Sequence, residues 1–219
     1  MKRLIIAIDG PSGAGKGTVA RTVAASLGYR HIDTGAMYRA VGWKADAEGV
    51  RLDDEETLAA MAALALLVVE GGIVTIDGHD VTRAIRTPEI DQVAAAVARL
   101  PRVRETLVAR QRAYGQAGGV VMEGRDIGSV VFPDADVKVY LDASAAERVR
   151  RRAHDPLHTG GQAGAAAVAA AIASRDQSDS TRSASPLTIA PGAVYIDTTE
   201  MPIEQVVDSV MALVGQRSS

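Results

Sequence analysis

The chain has 219 residues and a net charge of −3, and its 47% of apolar residues include one Trp, one Phe and five Tyr, so it is long enough for one domain with an insertion and must build its core from Ala, Val, Leu and Ile. An acidic balance with so few stacking rings argues against a protein that coats nucleic acid. The absence of cysteine excludes disulfides and thiolate metal sites, and no run approaches the ~18 apolar residues of a membrane span, so a cytoplasmic protein without a membrane partner is expected.

Leu4 to Ile8 reads as a short buried strand, and Val19, Ala20, Val23, Ala24 and Leu27 form an apolar stripe at helical spacing. Between them stand Gly10, Pro11, Ser12, Gly13, Ala14, Gly15, Lys16, Gly17 and Thr18. Strand, glycine loop and helix thus come in the order of a P-loop, in which backbone amides and the helix N-terminus cradle the phosphates of a nucleoside triphosphate and the lysine reaches the outer ones. The residue after the lysine is ordinarily a Ser or Thr whose hydroxyl touches Mg²⁺. Here it is Gly17, with the hydroxyl one residue later at Thr18, which leaves the metal's direct ligands open. Gly28 stands where a helix C-cap takes glycine.

Tyr29 to Asp33 reads as a second strand. A first interruption, residues 49–101, then opens with a helix capped by Asp53, with Glu56 at the capping-box spacing. It continues as an antiparallel meander through Gly71-Gly72 and Asp77-Gly78, and ends in a helix that starts at Thr87-Pro88. Val120 to Glu123, Val137 to Leu141 and Val194 to Asp197 are three more short apolar strands separated by helical sequence. The expected fold is α/β, a P-loop core with a five-stranded parallel sheet flanked by helices. Residues 1–48, 102–146 and 187–219 form that core, and 49–101 a small β/helical insertion. Residues 147–186 form a lid with the segment that follows it. The lid carries Arg148, Arg150, Arg151 and Arg152, then an alanine-rich helix over 165–173 and a Ser-rich polar run. Arginines on a mobile arm suit an enzyme that closes over its triphosphate and excludes water.

Asp9, Asp33-Thr34, Glu123 to Asp126, Asp142 and Asp197 to Thr199 gather at the carboxyl ends of the strands, where open α/β sheets bind ligands. With no asparagine in the chain, the Asn-Lys-x-Asp guanine reader of GTPases is absent. Arg39, Arg104, Arg125, Arg175 and Arg182 lie outside the triphosphate loop, and guanidinium forks match phosphate oxygens, so a second phosphorylated ligand is expected. The four histidines, His31, His79, His154 and His158, show no metal spacing and read as structural or surface residues.

The phosphate loop, Asp33-Thr34-Gly35-Ala36-Met37-Tyr38-Arg39, Ile85-Arg86-Thr87, Pro101-Arg102-Val103-Arg104, the run Gly124 to Pro133, Leu141-Asp142-Ala143-Ser144, and Arg175-Asp176 with Asp179 and Arg182 together resemble the bacterial-type cytidylate kinases, in that family's order and over essentially the whole chain. The resemblance implies ATP and CMP or dCMP as substrates with Mg²⁺ as cofactor, and residues 49–101 as the monophosphate-binding insertion. It implies that Thr34, Arg39, Arg125 and Arg182 hold the CMP phosphate and that Tyr38 packs near the pyrimidine. Arg104 and Asp126 would read the base edge, Arg175 and Asp179 the sugar, and an arginine of the lid, Arg148, Arg151 or Arg152, would meet ATP. Catalysis would fall to Lys16, Arg125 and Arg182, and nothing demands more than a monomer. At Ala95 the family often places a serine that assists base recognition, so selectivity over uracil is expected to be softer here. The rival readings are a kinase for another monophosphate, such as UMP or dTMP, and a nucleotide-dependent regulatory switch.

Overall fold

A computed structural model describes residues 3–155 and 164–217. Strands β1 (Ile5–Asp9), β2 (Arg30–Asp33), β6 (Val120–Gly124), β7 (Val137–Asp142) and β8 (Val194–Asp197) form a parallel sheet in the order β2-β6-β1-β7-β8. Side chains of β1 alternate between two cores. Ile6 and Ile8 pack with Val19 and Val23 of α1 (Lys16–Leu27) and with Val206 and Val210 of α8 (Ile203–Arg217). Ala7 faces the other way, with Met122, Ile127 and Val108, the last from α5 (Pro101–Gly115). Both faces of the central strands β1, β6 and β7 are covered, which is why they read as apolar runs. Gly28 closes α1 at φ 63, in the left-handed region.

Between α2 (Thr34–Ala47) and α5 the chain forms α3 (Glu55–Leu64), the antiparallel strands β3 (Leu67–Glu70), β4 (Ile73–Ile76) and β5 (His79–Asp80), and α4 (Pro88–Val97). Thr87 caps α4 through a bond accepted from the Ile90 amide at 3.3 Å. These elements share a core with α2 that contains Met37, Val41, Leu58, Ile76, Ile85 and Leu107.

Two local expectations are corrected. The cap of α3 is Asp54, which accepts from the Thr57 amide at 3.1 Å, while the neighbouring Asp53 pairs with Arg51. The helix expected over 165–173 is α7 (Ala165–Thr181), eight residues longer, because its polar second half is held by ion pairs rather than by apolar burial. Before it runs α6 (Ala145–Ala153). The glycines at 160 and 161 and His158 of the expected lid lie outside the described residues.

Candidate active site

The phosphate loop after β1 and the carboxyl ends of β2 and β6, together with α6 and α7, border one cleft of about 680 Å³. Gly10 opens the phosphate loop at φ 146, and a Cβ there would lie 1.9 Å from the Leu141 carbonyl oxygen of β7. Loop and sheet therefore meet at a point where only hydrogen fits. Gly10→Ala is expected to unfold the protein or to lower its melting temperature by more than 10 °C or so. Calorimetry checks this, and a wild-type melt would show that the loop is free to shift.

Lys16 begins α1 and is only 6% exposed. Its ammonium donates to the Pro11 carbonyl at 2.6 Å. Burial, reinforced by the charge of Arg125 and opposed by Glu123 and Asp9, lowers it to about 7. The loop's outward carbonyls are held by α6: Arg148 donates to Ser12 at 3.1 Å and Arg151 to Ala14 at 3.4 Å, with Arg151 also bonded to the Thr198 hydroxyl at 2.8 Å. Arg152 pairs with Asp91 of α4. The three candidate lid arginines are thus already engaged. Arg148 and Arg151 sit on the phosphate loop, and Arg152 joins α6 to the insertion.

Beneath the loop, Asp9 ends β1 with both carboxylate oxygens bonded to backbone, to Ile127 N at 2.8 Å and Gly128 N at 2.7 Å. Those amides start a single π-helical turn, Ile127–Val131, in which Phe132 N reaches back to Ile127 O. Burial pushes the Asp9 carboxyl up to about 6 against the pull of those two bonds. The turn follows Arg125 and Asp126 directly, so Asp9 ties the phosphate loop to the segment that carries them.

Across the cleft four guanidinium groups meet two carboxylates. Arg104 pairs with Asp126, and Arg182 lies 3.7 Å from Asp126 and 3.6 Å from Asp179. Asp179 also takes Arg125 at 2.8 Å and Arg175 at 3.3 Å. Arg39 pairs with Asp33 at 2.8 Å. Three buried donors here, Arg39 Nε, Arg104 Nε and Arg182 Nη2, have no hydrogen-bond partner among the described residues. Unmatched buried donors are costly, so the cluster is built for an anionic ligand. Tyr38 lies with its ring 5.5 Å from the Arg104 guanidinium.

Asp179 is 1% exposed. Burial disfavours its charge, but Arg125, Arg175 and Arg182 overcome that and set its carboxyl at about 2. The stability it supplies is therefore complete above the ordinary value of 3.8 and is lost as the pH falls from there toward 2. Asp179→Asn, which leaves three buried cations short of a counter-ion, is expected to cost about 3 kcal/mol in urea unfolding at neutral pH. An unchanged midpoint would mean that solvent already screens the arginines.

Of the residues singled out in sequence, Lys16, Thr34, Tyr38, Arg39, Arg104, Arg125, Asp126, Arg175, Asp179 and Arg182 are gathered by the fold round this cleft or its wall. Sequence reading missed His31. Read as a structural or surface residue, His31 lies on the cleft with Nε2 donating to Glu123 Oε1 at 2.9 Å. Thr34 also departs from expectation, since its hydroxyl donates to the Glu123 carbonyl at 2.7 Å and must turn before it can donate to a phosphate.

A glycine loop between the first strand and helix of a parallel sheet, facing a cluster of buried arginines, defines a P-loop phosphotransferase. A gluconokinase structure from Sinorhizobium meliloti 1021 shares this fold at a TM-score of 0.53 and 15% identity, over 98% of this chain and 93% of that one. The family model described as cytidylate kinase matches residues 6–216. Proteins named cytidylate kinase from Pelotomaculum thermopropionicum and Solibacter usitatus are 49% and 46% identical, over 96% and 99% of this chain and 95% and 94% of their own lengths. The chain belongs to the cytidylate kinase family. Among the described residues, no helix is long and apolar enough to cross a membrane.

Proposed function

We propose that the protein transfers the γ-phosphoryl group of Mg·ATP to a phosphate oxygen of CMP or dCMP, giving ADP and CDP or dCDP. The observation that carries this reading is one cleft with a phosphate loop at one end and unmatched buried guanidinium donors at the other. Phosphoryl transfer needs two anions brought into line and their repulsion offset. Lys16 meets the outer phosphates of ATP and follows charge onto the β-phosphate as the β–γ bridging bond breaks. Arg39, Arg125 and Arg182 hold the acceptor phosphate, whose oxygen forms the new bond and is already ionised, so no general base is needed. Arg151, at the rim of the phosphate loop, completes the grip on ATP. Residues 49–101 close over the monophosphate and 147–186 over the triphosphate.

Arg104 and Asp126 form a buried acceptor and donor set suited to the cytosine edge, where the carboxylate accepts from the exocyclic amine. Uracil would turn a carbonyl toward Asp126, acceptor against acceptor, a mismatch that buried sites reject. Tyr38 walls the base, and Arg175 with Asp179 faces the sugar.

No group of three or more His, Cys, Asp or Glu that could cage a metal occurs among the described residues. That fits Mg²⁺ carried by nucleotide phosphates, which asks the protein for only one or two carboxylates. Glu123 is the candidate, because a Cβ on Gly17 would lie 3.3 Å from its Oε1. When bound, the ion would neutralise charge on the phosphate oxygens. Because a single chain supplies both halves of the cleft, the working unit is a monomer, placed in the cytoplasm where ATP is supplied.

A panel of CMP, dCMP, UMP, dTMP and AMP with Mg·ATP, followed by ADP release, tests the reading. CMP and dCMP are expected to lead, with measurable UMP turnover owing to Ala95. ADP release that needs no monophosphate would instead mark a nucleotide-hydrolysing switch.

A further inference from the structure

Glu123 is the last side chain of β6, beside the phosphate loop, and its carboxylate fills the space that a side chain at Gly17 would take, with Oε1 and Oε2 3.3 and 3.5 Å from an ideal Cβ. In an ordinary phosphate loop that space holds the hydroxyl nearest the metal. A glutamate reaching in from the neighbouring strand has more rotatable bonds than a serine on the loop and stays in one place only if something fixes it. Two contacts do so. The Thr34 hydroxyl holds the Glu123 carbonyl at 2.7 Å, and the His31 ring holds Oε1 at 2.9 Å. His31 and Glu123 are each about one-tenth exposed, at 11% and 10% of their side-chain surface. Backbone register already joins β2 to β6, with His31 opposite Val121 and Asp33 opposite Glu123. The ring therefore reaches two residues along the partner strand to a carboxylate that sheet pairing does not need.

We propose that His31 is a positioning residue for phosphoryl transfer, holding the Glu123 carboxylate where the loop's missing hydroxyl would stand so that it serves Mg·ATP. This rests on the reading of Glu123 given above. His31 donates one hydrogen bond to Oε1, which restricts the carboxylate's rotation and leaves Oε2 for the hydration shell of the ion. Outer contacts of this kind are ordinarily worth 10-fold or more in metal affinity.

The test is calorimetric titration of a non-hydrolysable imido-ATP, with Mg²⁺ and again with EDTA, into the wild type and into His31→Leu, His31→Asn, His31→Gln and Glu123→Gln. Asparagine is too short to reach Oε1 and stands in if the leucine variant fails to fold. The gain in affinity that Mg²⁺ confers is expected to fall about 10-fold in His31→Leu, His31→Asn and Glu123→Gln. It should be largely kept in His31→Gln, whose amide can donate in place of the ring. Affinity in EDTA and the KM for CMP should stay at wild-type values. A loss confined to Glu123→Gln overturns the role of His31 and spares that of Glu123. A wild-type gain in all variants overturns both. Equal weakening with and without Mg²⁺, or a His31→Gln variant as poor as His31→Leu, shows that the ring only packs the strand and also overturns the proposal.

Discussion

Lys16→Met is expected to lower kcat by about three orders of magnitude, with the far-ultraviolet circular dichroism of the wild type retained and a melting temperature no lower than its own. The ammonium makes one hydrogen bond, to Pro11 O, and is buried deeply enough to be lowered to about 7 in the free protein. Its charge is therefore a cost to the empty fold, and methionine of similar length removes that cost without leaving a hole. Between about 7 and the ordinary value of 10.5 the unfolded chain binds a proton that folded Lys16 does not, so wild-type stability rises with pH in that window. The methionine variant should lose that slope. A triphosphate reverses the balance by favouring the ammonium, so ATP binding at pH 8 should take up nearly one proton, measurable by calorimetry in buffers of different ionisation enthalpy. Uptake unchanged in Lys16→Met would assign the proton to another group, and an unfolded variant would make Lys16 a structural residue.

How much of this was legible in sequence depends on whether the deciding contacts are local. The central strands β1, β6 and β7 are short and largely buried, so apolar runs locate them, and Gly71-Gly72, Asp77-Gly78 and Thr87-Pro88 punctuate the insertion where backbone chemistry requires it. At Asp53-Asp54-Glu55-Glu56 four acidic residues compete for one cap, and only the backbone angles select Asp54. The second half of α7 has no apolar stripe to read. It is ordered by Arg125, which lies 54 residues from Asp179 in sequence. His31 and Glu123 are 92 residues apart and meet only because β2 lies beside β6. The available hint was Gly17, which left a place by the phosphates to be filled from elsewhere. The arginines are legible in sequence, first by their number outside the phosphate loop and then by motif resemblance, but their sharing of Asp126 and Asp179 is not, since that is a property of tertiary packing.

That sharing fixes what Arg182→Ala should do. Arg182 caps the C-terminus of α7, is 4% exposed, donates Nε to the Ser185 carbonyl at 2.6 Å, and keeps Nη2 without a hydrogen-bond partner among the described residues. Burial and the neighbouring charge of Arg104 lower its guanidinium pKa from the ordinary value, the mark of a cation placed before its anion arrives. Its two carboxylates stay paired when it is removed, Asp126 with Arg104 and Asp179 with Arg125 and Arg175. The fold should therefore survive, in contrast to Asp179→Asn, where three cations lose one anion. What is lost is the free edge of the fork, which can meet an acceptor phosphate already in the ground state. We expect kcat/KM for CMP to drop by about 10³-fold, with most of the loss in KM for CMP and with imido-ATP affinity unchanged. Arg182→Lys should recover little, because an ammonium cannot hold Ser185 and a phosphate oxygen with the same plane of donors. Weakened ATP binding with a normal KM for CMP would place Arg182 on the donor side of the cleft and reverse the assignment of its two ends.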